Sequence, residues 1–272
     1  MTSTHSGSAR CVLVVGASSG IGKAAAEALV GRGYRVYGTS REASRVNVPG
    51  VVGVSLEIAD SVSVARAVQT VVDIESRLDG VFYAAGFYIA GAVEETTPEQ
   101  VHDQLDAYLV GAHRVTRAVL PHFRKARAGR LLFMSSGAGD SSLPFHTIYS
   151  VSKAALQAYC DGLRHEVEGF GIQVAYLQAG GVKTGARASF RIAAEPVDAY
   201  SEPRNRAISA FHQMQEKGPV PHAVGRAVAD AMDARRMKPV LRVDAFSMLM
   251  PVLKLLLPDA AFRAQLRKSL GL

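Results

Sequence analysis

No tryptophan occurs among the 272 residues and only two cysteines do. Cys11 lies in an apolar strand-like run and Cys160 in a helix-like run, far from any metal-ligand spacing. That excludes a disulfide framework and a zinc site, so no metal is expected, and it points to a reducing, cytoplasmic setting. Long apolar runs are missing too. Ala245 to Pro258 is shorter than the about 20 residues of a spanning helix and is broken by Pro251 and Lys254, so no transmembrane segment is expected. The opening MTSTHSGSAR has no apolar h-region, which excludes a signal peptide and predicts a disordered lead-in over residues 1–9. Without tryptophan, and without a basic stripe interleaved with aromatics, nucleic acid is not an expected partner. No internal repeat or low-complexity tract breaks the chain.

What remains is 48% apolar composition, enough for one large core, and residues 10–272 are expected to form a single domain. Short apolar runs alternate with helical stretches. Strands are predicted at Cys11–Val15, Arg35–Gly38, Val51–Leu56, Val81–Ala84, Leu131–Met134, Val174–Leu177 and Pro239–Val243. Helices are predicted at Gly20–Arg32, Ser61–Ser76 behind an Asp60 cap, Thr97–Arg127 and Tyr149–Gly169. Near-continuous apolarity suits parallel strands covered on both faces, so the expected fold is α/β, a doubly wound Rossmann-type sheet of about seven parallel strands. Residues 185–220 lack a clear period and read as a mobile substrate loop or lid, and 245–272 as a C-terminal helical extension.

The net charge of +7 is unevenly placed. Residues 1–182 hold 16 Lys/Arg and 16 Asp/Glu, whereas residues 183–272 hold 15 and 8. Three readings stay open: attraction of an acidic substrate or acyl carrier, weak contact with an anionic membrane surface, or a solvated face, which is the default. Arg187, Arg191, Arg204 and Arg206, in or near the expected lid, motivate the first.

Gly16-Ala-Ser18-Ser19-Gly20-Ile21-Gly22 follows the first strand directly. These glycines permit a tight turn, a close ligand approach and helix-on-strand packing, and the helix start supplies free N–H groups and partial positive charge for a phosphate. The GxxxGxG spacing resembles the short-chain dehydrogenase/reductase family, and the resemblance extends over most of the chain. It implies a nicotinamide dinucleotide cofactor. The second strand ends in Ser40-Arg41 with no carboxylate, so Arg41 is expected to take a 2′-phosphate with hydroxyl help from Ser18, Ser19 and Ser40, and the cofactor is expected to be NADP(H). Glu57-Ile58 stands where the family carries an Asp facing the adenine. Tyr83-Ala84-Ala85-Gly86 stands for Asn-Asn-Ala-Gly, keeping Ala85 and Gly86 for the cofactor and losing both amides. Gln178-Ala-Gly180-Gly-Val182-Lys-Thr184 resembles the family's Pro-Gly-x-x-x-Thr, which meets the nicotinamide carboxamide.

Tyr149 and Lys153, four residues apart, share one face of a helix, and Ser136 lies upstream at the C-terminal end of a predicted strand. The three match the family's Ser–Tyr–Lys set. The resemblance assigns Tyr149 as general acid/base, Lys153 to lower its pKa and hold the ribose, and Ser136 to polarise the substrate oxygen, so that a carbonyl and a secondary alcohol interconvert. The family's helix-four Asn falls on Tyr108, which either keeps a water through its carbonyl or blocks the proton relay with its ring. Leu143-Pro-Phe-His146-Thr-Ile-Tyr149 and the C-terminal tail resemble the hydroxysteroid and retinol dehydrogenase branch, implying an apolar steroid-, retinoid- or polyketide-like substrate. Leu143 and His146 are the expected pocket residues, His146 either orienting a substrate group or bonding its own loop. The resemblance also implies a homodimer or homotetramer through Thr97–Arg127 and Tyr149–Gly169. A second function class stays open: non-redox dehydration, isomerisation or cyclisation, or a cofactor-bound regulatory role.

Overall fold

β1 (Cys11–Val15) is apolar and buried at all five positions, the pattern of a parallel strand covered on both faces. Its side chains alternate. Cys11, Leu13 and Val15 point into one core and Val12 and Val14 into the other. The computed structural model describes residues 9–184 and 190–272, so most of the expected lead-in and Gly185–Ser189, including Arg187, lie outside the described residues.

β2 (Arg35–Ser40), β3 (Val51–Ser55), β4 (Gly80–Tyr83), β5 (Tyr88–Ala90), β6 (Gly129–Met134), β7 (Ile172–Gln178), β8 (Phe190–Ile192) and β9 (Val240–Arg242) follow in the chain. Seven of the strands form one parallel sheet in the order β3-β2-β1-β4-β6-β7-β9, the doubly wound arrangement predicted. The helices are α1 (Gly20–Gly31), α2 (Ser61–Glu75), α3 (Pro98–Leu105), α4 (Gly111–Ala126), α5 (Thr147–Val167), α6 (Asp198–Lys217), α7 (Pro221–Asp233), α8 (Ala245–Leu256) and α9 (Asp259–Ser269). Apolar residues of α2, α4 and α5 cover one face of the sheet, and those of α1 and α7 the other. The expected cap is present: Asp60 accepts from the Val62 N–H at 2.8 Å, a contact worth about 1 kcal/mol. Strand order reverses between β1 and β4, which opens a crevice at the carboxyl ends of the strands.

Three elements differ from the sequence expectation. Thr97–Arg127 is not one regular helix, because Asp106–Val110 forms a π-helical turn between α3 and α4. The Tyr83 hydroxyl donates to the Ala107 carbonyl of that turn at 2.6 Å, which gives one of its carbonyls a side-chain partner. Second, most of the expected loop at 185–220 is the 20-residue helix α6. Its buried set, Arg204, Ala207, Ile208 and Phe211, has helical spacing, but an arginine fills the first slot and Pro203 interrupts the run, so apolar periodicity alone does not expose it. Third, β5 and β8 form a small parallel pair of three residues each, too short to carry a readable alternation.

Candidate active site

The carboxyl ends of β1, β2, β3, β4, β6 and β7 open on a cleft of about 700 Å³. The glycine turn forms one wall. Gly16 has φ +88°, and a Cβ there would stand 2.9 Å from the Ala85 Cα; a Cβ on Gly22 would stand 2.0 Å from the Gly16 carbonyl oxygen. Neither of these two positions admits a side chain. Ser18, Ser19, Gly20, Ile21 and Gly22 line the cleft at the start of α1, where unpaired N–H groups and the helix dipole favour an anion.

Beyond it, Ser40 and Arg41 line the cleft from the end of β2, joined by Arg45 from the 3₁₀ turn Ala43–Arg45. Arg45 escaped sequence reading because it lies off the strand end. Glu57 and Ile58 line the same side, with a Glu57 carboxylate oxygen accepting from the Ala59 N–H at 3.2 Å. Ala85, Gly86, Gly180, Val182 and Thr184 line the opposite end. The Gly180 N–H donates to Asp244 at 2.6 Å, and the Thr184 methyl lies over Gly20.

At the floor stand Ser136, Tyr149 and Lys153. Ser136 follows β6, where its Oγ donates to the Ala179 carbonyl at 3.2 Å and accepts from the Ala138 N–H at 3.1 Å. Tyr149 lines the same cleft from α5. Tyr149, Lys153 and Gln157 follow one stripe of α5 at spacings of four. Gln157 was not anticipated. Its amide donates to the Ser135 Oγ and to the Ser136 carbonyl, both at 3.0 Å, fixing the serine loop to the helix that carries the tyrosine. Its signal was the same four-residue period that links Tyr149 to Lys153.

Lys153 is 3% exposed. Its Nζ donates to the Met134 carbonyl at 2.8 Å and lies 3.6 Å from the centre of the Tyr108 ring. Burial holds the ammonium down, at about 7 rather than the usual lysine range. Burial pushes the Tyr149 phenol up, and the neighbouring Ser136 hydroxyl pulls it partly back. The Tyr108 ring packs edge-on to Tyr149, with ring centres 5.9 Å apart, and fills the space beside Gly86, where a Cβ would meet it at 2.2 Å. The two tyrosines at the family's amide positions thus act on one turn: Tyr83 holds its carbonyl and Tyr108 projects from it over the lysine.

Two sequence expectations are corrected. Leu143 and His146 are each 1% exposed and do not line the cleft. The His146 ring lies 4.5 Å from Phe211 and its Nδ1 contacts the Pro144 carbonyl at 3.1 Å, so it bonds its own loop; burial brings its pKa down to about 4. The residues that line this part of the cleft are Phe87, Tyr88, Arg191, Phe211 and Gln215. Of the lid arginines in the described residues, only Arg191 reaches the cleft, its guanidinium 4.0 Å from the centre of the Phe87 ring. Arg204 is buried in an ion pair with Glu95, and Arg206 pairs with Glu202 at 3.0 Å.

Residues 10–195 match the short chain dehydrogenase family profile. The chain is 34% identical over 230 residues to a 3-ketodihydrosphingosine reductase of Bacteroides thetaiotaomicron, covering 84% of this chain and 85% of that protein. It is 29% identical over 271 residues to human 17-beta-hydroxysteroid dehydrogenase type 1, covering 91% of this chain and 81% of that one. A solved short-chain dehydrogenase from Streptomyces avermitilis superposes with a TM-score of 0.83 at 29% identity, over 97% of this chain and 96% of that chain. A strand-end cleft with a glycine turn at one wall and serine, tyrosine and lysine at its floor agrees with that likeness, and the chain belongs to the short-chain dehydrogenase/reductase family of nicotinamide-dependent oxidoreductases.

Proposed function

We propose that this protein interconverts a ketone and a secondary alcohol on an apolar, lipid-like substrate, using NADP(H). The observation that carries the reading is that Ser136, Tyr149 and Lys153 line one cleft together, with Lys153 one helical turn from Tyr149.

The glycine turn accommodates a pyrophosphate, because Gly16, Gly20 and Gly22 bring backbone rather than side chains to the cleft. Ser18, Ser19, Ser40, Arg41 and Arg45 would hold a 2′-phosphate. Glu57 and Ile58 would flank the adenine, and Ala85, Gly86, Gly180, Val182 and Thr184 the nicotinamide half. Bound there, the nicotinamide supplies or accepts the hydride. Ser136 donates to the substrate oxygen as negative charge develops on it. Tyr149 transfers the proton to and from that oxygen, and Lys153 stabilises the phenolate while holding the ribose. The aromatic wall of Phe87, Tyr88 and Phe211 supports an apolar substrate, as do the lipid and steroid names of the two relatives.

The buried thiols of Cys11 and Cys160 support a reducing, cytoplasmic location. Val151 and Ala158, exposed on α5, support a homodimer or homotetramer formed through α4 and α5. The expected substrate loop becomes α6, which contributes Phe211 and Gln215 to the cleft.

The test is nucleotide titration followed by nicotinamide fluorescence, with wild type, Arg41→Ala and Arg45→Ala. NADPH affinity is expected to fall about 10- to 100-fold in each variant, while NADH affinity changes little. Equal binding of both nucleotides by wild type would reject the NADP(H) assignment. Tyr149→Phe is expected to bind cofactor and lose hydride transfer, whereas retained transfer would reject the acid/base role and favour non-redox chemistry.

A further inference from the structure

α8 is apolar on two sides. Phe246, Met250, Leu253 and, just beyond its end, Leu257 pack into a cluster with Tyr88, Leu143, Tyr149 and Phe211. On the outer side Met248, Leu249, Val252, Leu255 and Leu256 are exposed, at 54%, 51%, 48%, 84% and 71%. At 3.6 residues per turn these five fall within about a third of the helix circumference. A helix on a fully hydrated surface carries polar residues there, and scattered single apolar residues would need no explanation, whereas a contiguous stripe marks a contact surface.

The stripe belongs to a well-anchored helix. Asp244 accepts from the Ser247 N–H at 2.7 Å as its cap and from the Gly180 N–H of the cleft at 2.6 Å. Lys254 donates to the Asp140 carbonyl at 2.5 Å. α9, packed against α8, exposes Arg263, Arg267 and Lys268. Across residues 245–272 these and Lys254 stand against one acid, Asp259.

We propose that this stripe docks on the surface of an anionic lipid bilayer, with α8 lying in the plane of the interface. The charge of the α8–α9 segment is complementary to anionic headgroups and the stripe to the acyl boundary, the two components of interfacial helix binding. At 12 residues α8 is too short to span, and no helix among the described residues is long and apolar enough to cross a membrane. Five side chains are also few beside the roughly 20 to 30 residues a side of a standard protein interface. Docking would bring the wall of the active site to headgroup level, because Phe246 packs on Gly137, next to the catalytic serine, and on Gly180.

The test is co-sedimentation of the full chain with phosphatidylcholine vesicles, with and without phosphatidylglycerol, for wild type and Leu255→Glu/Leu256→Glu. Wild type is expected to sediment with the anionic vesicles and to bind about tenfold or more weakly to pure phosphatidylcholine or at high salt. The double variant is expected to lose vesicle binding about tenfold or more while keeping its melting temperature, nucleotide affinity and gel-filtration volume. Both altered positions lie outside the cleft lining, so failure of the NADP(H) reading would appear in the nucleotide titration and leave sedimentation unaffected. Absence of wild-type sedimentation with anionic vesicles overturns the proposal, as does vesicle binding unchanged by the double substitution. An oligomer that the substitution dissociates overturns it in favour of a second copy of this chain.

Discussion

The ammonium of Lys153 lies 3.6 Å from the centre of the Tyr108 ring. The ring therefore roofs the lysine where the family's asparagine would support a water chain. Backbone geometry puts it there: Tyr108 projects from the π turn whose Ala107 carbonyl is held by Tyr83, and single π turns recur at functional sites. A desolvated cation–π contact favours the charged lysine, against the burial that holds its pKa at about 7.

Tyr108→Leu removes that contact and Tyr108→Phe keeps it. At about 1–2 kcal/mol, its loss is expected to move the lysine-dependent limb of the pH–rate profile down by roughly one pH unit in the leucine variant. The phenylalanine variant should follow wild type. Coincident profiles for all three would show that the ring does not tune Lys153.

Lys153 also carries a signature in stability. Its folded pKa is depressed, so between about pH 7 and the unfolded value near 10.5 the unfolded chain binds more protons than the folded one. Its contribution therefore improves as pH rises through that window and is lost as pH falls towards 7. Lys153→Met is expected to melt above wild type at pH 6, with the gap narrowing steadily towards pH 10. Melting temperatures that differ by a constant amount across this range would contradict the assignment.

Gln157→Leu keeps the volume of the side chain and removes the donor that ties α5 to the serine loop. Leaving the buried Ser135 hydroxyl and Ser136 carbonyl without that amide is expected to cost about 1–3 kcal/mol in denaturant unfolding. Because the loop carries Ser136, kcat should fall about tenfold while NADPH affinity stays within about twofold. A parallel loss of cofactor affinity would point to general damage.

Glu95 is fully buried and accepts from Arg204 and from the Ala92 and Val197 N–H groups. It thereby joins the loop after β5 to the start of α6. Glu95→Ala leaves an uncompensated buried guanidinium and is expected to destabilise by about 3–5 kcal/mol in equilibrium unfolding. If the variant unfolds at the wild-type denaturant midpoint, the pair does not anchor α6.

Much of this was legible in the chain. β1 could be read because all five of its residues are apolar, and the glycine turn because Gly16 and Gly22 stand where no side chain fits, which leaves a spacing in the sequence. Ser136, Tyr149 and Lys153 could be read because a strand end and one helix face are local features with fixed periods. α6 could not, since the charge of its buried Arg204 is paired by Glu95, more than a hundred residues away.

Sequence alone determined the strand order and most of the helices, the glycine turn after β1 and the identity of the three residues at the cleft floor, because each depends on local conformation or near-neighbour spacing. Tertiary structure decided that Tyr108 covers Lys153, that Gln157 holds the serine loop, that His146 turns away from the cleft and that α8 keeps an apolar face outward. Each of these rests on contacts between distant segments, and no local period encodes such contacts.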